Sequence, residues 1–232
     1  AVTLLPDGRL AITEKAGTMR IATTSGTISE PITGFPEVDD HKQGGLLDVA
    51  PAPDFMTSRM LYFTFAEKSS QGSLTAVGRG RLSDDEKHIE GFQVVYRAVP
   101  YYDNSMHFGG RILFDGDGNI FVSTGERSDL VTRPNAQLLD KAHGKVIHIT
   151  PEGQPVAGNP FIETPGALPE IYSYGHRNPQ GLAIHPVTRE LWLSEMGPRG
   201  GDELNLIKPG RNFGWPTITY GIEYSGENIG EG

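Results

Sequence analysis

The chain has 232 residues, 37% of them hydrophobic, with 30 glycines, 17 prolines and no cysteine. Its formal net charge of −9 makes it a poor candidate for binding nucleic acid or an anionic membrane, and the lack of cysteine excludes disulfides and thiolate metal sites. No apolar run reaches the length of a membrane-spanning helix, and the Gly and Pro content favours many short elements joined by turns.

The first residues, Ala1 to Gly8, read as the end of a strand entering a turn. The chain is therefore expected to begin inside an element, and the absence of a signal peptide from these residues says little about the parent protein. A weak repeat follows, in which an apolar strand, a turn of Pro, Asp or Gly, and a second alternating strand recur. The four units are Leu5 to Thr13, Val49 to Phe55 leading into Leu61 to Phe65, Ile112 to Ser123, and Leu182 to Pro186 leading into Leu191 to Ser194. Further strands are expected over 18–22, 76–82, 92–97 and 145–149, the last as an outer strand. Nowhere does a 3.6-residue apolar period persist for three turns, so helices should be short and few. The polar stretches Asp84 to Glu90 and Arg127 to Gln137 read as loops. Such units suggest the blades of a β-propeller, which run to about 40–50 residues each.

Several polar residues sit at the edges of these units. The loop Tyr174-Gly175-His176-Arg177-Asn178-Pro179-Gln180-Gly181 crowds donors between glycines at the start of a strand, a setting suited to a polar ligand. His107 precedes the third unit within Ser105-Met106-His107-Phe108-Gly109-Gly110-Arg111, placed either as a general base or as an ordinary loop histidine. Glu126 ends the same hairpin, at the same end of the sheet, either orienting the imidazole or pairing with Arg127 at the surface. Asp115, Asp117 and Asn119 with Glu126 imitate a calcium loop, but Ile120 stands where that loop needs glycine, so a hairpin turn is expected. The stretch Ser194 to Glu203 offers either outward carbonyls for calcium or a mobile loop with Asp202 and Glu203 paired to Arg199. Gln43, before two glycines, is a further amide at a unit edge. In a propeller such strand ends converge on one axial mouth.

Taken together and in order, His41 to Asp48, His107 to Arg111, Tyr174 to Gly181, Gly197 to Glu203 and Asn212-Phe213-Gly214-Trp215-Pro216 resemble the soluble PQQ-dependent sugar dehydrogenases of the glucose/sorbosone dehydrogenase family. The resemblance implies an all-β, six-bladed propeller binding pyrroloquinoline quinone (PQQ) and Ca²⁺. It implies that aldose sugars are oxidised at the C1 hydroxyl to lactones, with hydride passing to the quinone and electrons then to an external acceptor. By this match His107 is the catalytic base, Glu126 its acidic partner and Arg177 a catalytic cation. Gln43, His107, Arg177 and Asn178 contact the cofactor, and Gly197 and Pro198 hold calcium by their carbonyls. The family implies a periplasmic or secreted location. With about four to five blades in residues 1–232, the single propeller domain is expected to be incomplete at both ends, and its open edges would favour assembly into a homo-oligomer. The alternatives are a non-catalytic propeller scaffold for carbohydrate or protein and, more distantly, a calcium-dependent lactonase.

Overall fold

A computed structural model describes residues 1–231. Four antiparallel sheets follow one another along the chain, with their strands in chain order across each sheet. The first holds β1 (Val2–Leu4), β2 (Leu10–Glu14) and β3 (Thr18–Ala22). The second holds β4 (Leu46–Pro51), β5 (Met60–Ser69), β6 (Gly72–Leu82) and β7 (Ile89–Arg97), with a one-turn helix α1 (Phe55–Ser58) between β4 and β5. The third holds β8 (Gly109–Phe114), β9 (Ile120–Thr124), β10 (Lys145–Ile149) and β11 (Ile171–Tyr174); the fourth holds β12 (Pro179–Ile184), β13 (Leu191–Glu195) and β14 (Glu203–Ile207). Each repeat unit seen in the sequence contributes to the hairpin that opens a sheet. Leading strands of neighbouring sheets lie side by side, β4 against β8 and β8 against β12. These are propeller blades. Among the described residues no helix is long and apolar enough to cross a membrane.

The turns explain themselves chemically. Between β8 and β9, Asp115 accepts the backbone N–H groups of Asp117 at 2.8 Å and Asn119 at 2.9 Å. Its second oxygen lies 2.8 Å from His148 Nε2. The carboxylate that heads the imitation calcium loop is thus spent on a side-chain-closed turn.

Apolar residues are sorted between blades. Leu61, Phe63 and Phe65 of β5 meet Met19 and Ile32 from the first blade, while Tyr62 and Val77 meet Ile112, Ile120, Val122 and Ile147 of the third. Phe121 and Val146 meet Leu191 and Leu193 of the fourth. A blade flanked on both sides buries both strand faces, which is why β10 is buried at every position. This corrects the sequence reading of 145–149 as an outer strand: β10 pairs with β9 on one side and β11 on the other. Its apolar residues Val146, Ile147 and Ile149 fall on both faces of the strand, the signature of that double burial. Arg111 adds a polar tie across three blades, reaching Asp48 at 3.1 Å and the Gln180 carbonyl at 3.2 Å.

The stretch expected as a plain loop over 127–137 contains a 3₁₀ helix, Arg133–Gln137. A buried cation closes its end. Lys145 Nζ donates to the carbonyls of His143 at 2.6 Å, Asn135 at 2.8 Å and Ala136 at 3.1 Å, and burial pushes its pKa down to about 7. A lysine depressed in the folded state leaves the unfolded chain holding the extra proton between that value and its ordinary pKa of about 10.4. Its contribution to stability is therefore complete above that range, is lost progressively as pH falls across it, and is gone below about 7. The urea midpoint is expected to rise between pH 6 and pH 9, and Lys145→Met should flatten that rise. Parallel pH profiles in both proteins would refute the assignment.

Candidate active site

The strand ends at one rim bring four separated stretches together. His107 leads into β8 with a left-handed backbone, φ +47°. Its Nδ1 lies 2.6 Å from Glu126 Oε1, just beyond the end of β9, and both side chains are almost fully buried. The hairpin β8–β9 sets this meeting, because its two ends lie side by side. Close approach makes it possible: a Cβ on Gly125 would stand 2.1 Å from the His107 carbonyl oxygen and 3.0 Å from Asn178 Oδ1. Only glycine lets the backbone through there.

Three groups brace the histidine. Gln43 Oε1 accepts the His107 backbone N–H at 2.8 Å, and the Gln43 N–H donates to the Ser105 carbonyl at 3.0 Å. Asn178 Oδ1 accepts the Gly109 N–H at 3.1 Å. Asn178 has no exposed surface, and its Nδ2 faces Met196 Sδ at 4.0 Å. The Glu126 N–H donates to the Arg177 carbonyl at 2.9 Å, stitching the two loops.

Arg177 leans over this rim. Its Nη1 donates to the carbonyls of Met196 at 2.9 Å and Gly197 at 2.7 Å, and its guanidinium carbon lies 5.3 Å from the centre of the Trp215 ring. Burial pulls its pKa below the usual arginine value, with Glu126 opposing. Three buried polar atoms of this rim find no hydrogen-bond partner among the described residues: Glu126 Oε2, Arg177 Nε and Trp215 Nε1. Two unpaired donors and an unpaired carboxylate oxygen are costly unless a ligand completes them.

Gly197 and Pro198 sit on the loop after β13. Asp202 accepts the Gly197 N–H at 2.8 Å rather than pairing with Arg199, which ties this loop down. Among the described residues no three His, Cys, Asp or Glu side chains are grouped as a metal would need.

Sequence reasoning passed over a second dyad. His176 Nδ1 lies 2.9 Å from Glu195 Oε1, while Ser173 Oγ lies 2.9 Å from His176 Nε2 and Phe213 stacks on the ring. Glu195 Oε2 also accepts the Arg177 N–H at 2.6 Å. This sealed pair fixes the backbone that carries Arg177 and Asn178. A signal was present: His107 with Glu126 and His176 with Glu195 are both 19 residues apart, at matching places in two blades. Ser173, His176 and Glu195 have the connectivity of a hydrolytic triad, but burial of both Ser173 and His176 denies any substrate access.

Sequence and structure comparisons agree on kinship. The family model for glucose/sorbosone dehydrogenase matches residues 1–232. The chain is 47% identical over 233 residues to the aldose sugar dehydrogenase YliI of Escherichia coli strain K12, covering all of this chain and 62% of that protein. It superposes with TM-score 0.93 and 46% identity on the crystal structure of the soluble aldose sugar dehydrogenase from E. coli in the apo-form, covering 98% of this chain and 65% of that one. A PQQ-bound aldose sugar dehydrogenase from Streptomyces coelicolor matches with TM-score 0.82 and 33% identity, covering 99% of this chain and 66% of that one. The chain thus spans less than two thirds of the length of these relatives. Four blades in chain order, a rim built from their strand ends and a family match from the first residue to the last lead to one conclusion: the chain belongs to the glucose/sorbosone dehydrogenase family.

Proposed function

We propose that this chain carries the sugar-oxidising rim of a quinoprotein, in which the C1 hydroxyl of an aldose is oxidised to a lactone with PQQ as cofactor. The observation that supports it best is the buried His107–Glu126 pair beside an arginine with an unpartnered Nε. PQQ is an anionic, acceptor-rich tricarboxylate. The unpaired donors Arg177 Nε and Trp215 Nε1 fit such a group, and the S. coelicolor relative is described as PQQ-bound. Gln43, His107 and Arg177 are the residues assigned to hold it; Asn178, assigned with them, has no exposed surface and acts by bracing Gly109 instead. When bound, PQQ supplies the quinone that accepts the hydride.

The side chains do the proton work. With Nδ1–H donating to Glu126, His107 presents the lone pair of Nε2, which takes the proton of the C1 hydroxyl. Glu126 holds the ring in that tautomer and stabilises the imidazolium that forms. Arg177 places a preformed positive charge where an anionic ligand gains further negative charge.

Gly197 and Pro198 are the backbone positions assigned to calcium. As arranged, they do not fit a dication: the Gly197 carbonyl already accepts from Arg177 at 2.7 Å, and a metal there would face the guanidinium charge. Calcium binding at this loop therefore requires Arg177 to release Gly197.

An aldose substrate, an external electron acceptor and a periplasmic or secreted location complete the proposal. Titration of the protein with PQQ, followed by its absorbance, is expected to saturate at one equivalent, and aldose is then expected to drive dye reduction. A linear, unsaturable response would overturn the quinoprotein reading.

A further inference from the structure

Arg127 follows Glu126 directly in the chain, yet it neither pairs with it nor reaches the surface: 1% of it is exposed. Its guanidinium lies 4.0 Å over the Phe108 ring. Nε donates to the Met106 carbonyl at 3.0 Å, Nη2 to the Asn104 carbonyl and, at 3.2 Å, to Ser73 Oγ, and Nη1 to the Ser73 carbonyl. Among the described residues no carboxylate bonds to it. Burial lowers its pKa to about 10 against the more distant pull of Asp39 and Glu126.

A buried cation held by carbonyls, one hydroxyl and a ring face, with no counter-charge in contact, is a costly way to fill space, and an apolar side chain would serve a purely structural need better. The contacts show what the planar fork does instead. They fall on Asn104, Met106 and Phe108, on both sides of His107, and anchor that segment to Ser73 at the start of β6. His107 itself has φ +47°, and Arg127 and Ser128 have φ +74° and +54°. Three non-glycine residues in left-handed conformations, on two facing segments, persist only where their surroundings over-determine them. A lysine ammonium can gather carbonyls, as Lys145 does, but it has no planar fork to stack on a ring while reaching partners on two separate segments.

We propose that Arg127 is the positioning residue of the His107–Glu126 pair. It clamps residues 104–108 so that the imidazole meets the carboxylate that the neighbouring chain position supplies. This rests on the reading of His107 as the proton acceptor, but its structural half can be tested without catalysis.

The test compares Arg127→Lys and Arg127→Met with the unaltered chain. The first readout is the proton resonance of the His107 Nδ1–H bonded to Glu126, assigned by its loss in His107→Ala and followed without cofactor. Both variants are expected to broaden or lose it while the dispersed backbone spectrum of the blades persists. The second readout, with PQQ and Ca²⁺ added, is the kinetics. A displacement of about 1 Å at a reacting group costs on the order of 10²-fold, so kcat is expected to fall by about that factor in Arg127→Met and less in Arg127→Lys, with KM for the aldose held within a few-fold. If Arg127→Met does not fold, Arg127→Lys decides alone. An unchanged Nδ1–H resonance in a folded variant overturns the proposal, whatever the activity. A lost resonance with unchanged kcat upholds the clamp and sinks the base role of His107 instead.

Discussion

Replacing His107 with alanine is expected to lower kcat for aldose oxidation by about 10²- to 10⁴-fold, the usual contribution of a positioned general base. Binding of PQQ should weaken much less. His107 meets Gln43 through its backbone N–H and Glu126 through Nδ1, and only the second contact is lost on truncation. The loop keeps its anchors at Gly109 and Ser105. The check is a steady-state comparison at saturating PQQ, with PQQ affinity measured separately by absorbance. Activity within three-fold of the unaltered protein would remove His107 from the chemistry. A parallel collapse of PQQ affinity would instead show that its part in holding the cofactor outweighs its part as a base.

Glu126→Gln probes the same pair from the other side, and its effect is expected to be nearly as large, about 10²- to 10⁴-fold in kcat, at little cost in folding. The amide is isosteric but offers an N–H as well as a carbonyl. If the N–H turns to His107 Nδ1, the imidazole carries its proton on Nε2 and becomes a donor where a base is needed. If the carbonyl turns instead, the tautomer survives but the imidazolium loses its counter-charge. Glu126→Asp keeps the charge and shortens the reach, so it should retain more activity than the glutamine. The reverse order, with aspartate worse than glutamine, would show that reach rather than charge matters.

The blades were legible because their opening turns are chemically explicit. Asp115 to Asn119 announces a hairpin, and the apolar runs on either side give its strands. Residues 145–149 were misread for a reason the same sequence contains: Val146, Ile147 and Ile149 lack the polar alternation of an outer strand. That His107 and Glu126 stand at one end of a hairpin followed from chain order alone. The clamp on Arg127 did not. Ser73, Asn104 and Met106 offer backbone carbonyls there, and a carbonyl leaves no mark in a sequence. The use of Gly197 as an acceptor for Arg177 was hidden for the same reason.

The paired dyads show how much a cap decides. Two blades carry the same histidine and glutamate at the same interval. One copy has its outer nitrogen taken by the Ser173 hydroxyl and its ring covered by Phe213. In the other, no described residue bonds His107 Nε2. The same pair is thus sealed as mortar in one blade and left open at one nitrogen in another, the difference residing in a hydroxyl and a ring that cap the imidazole.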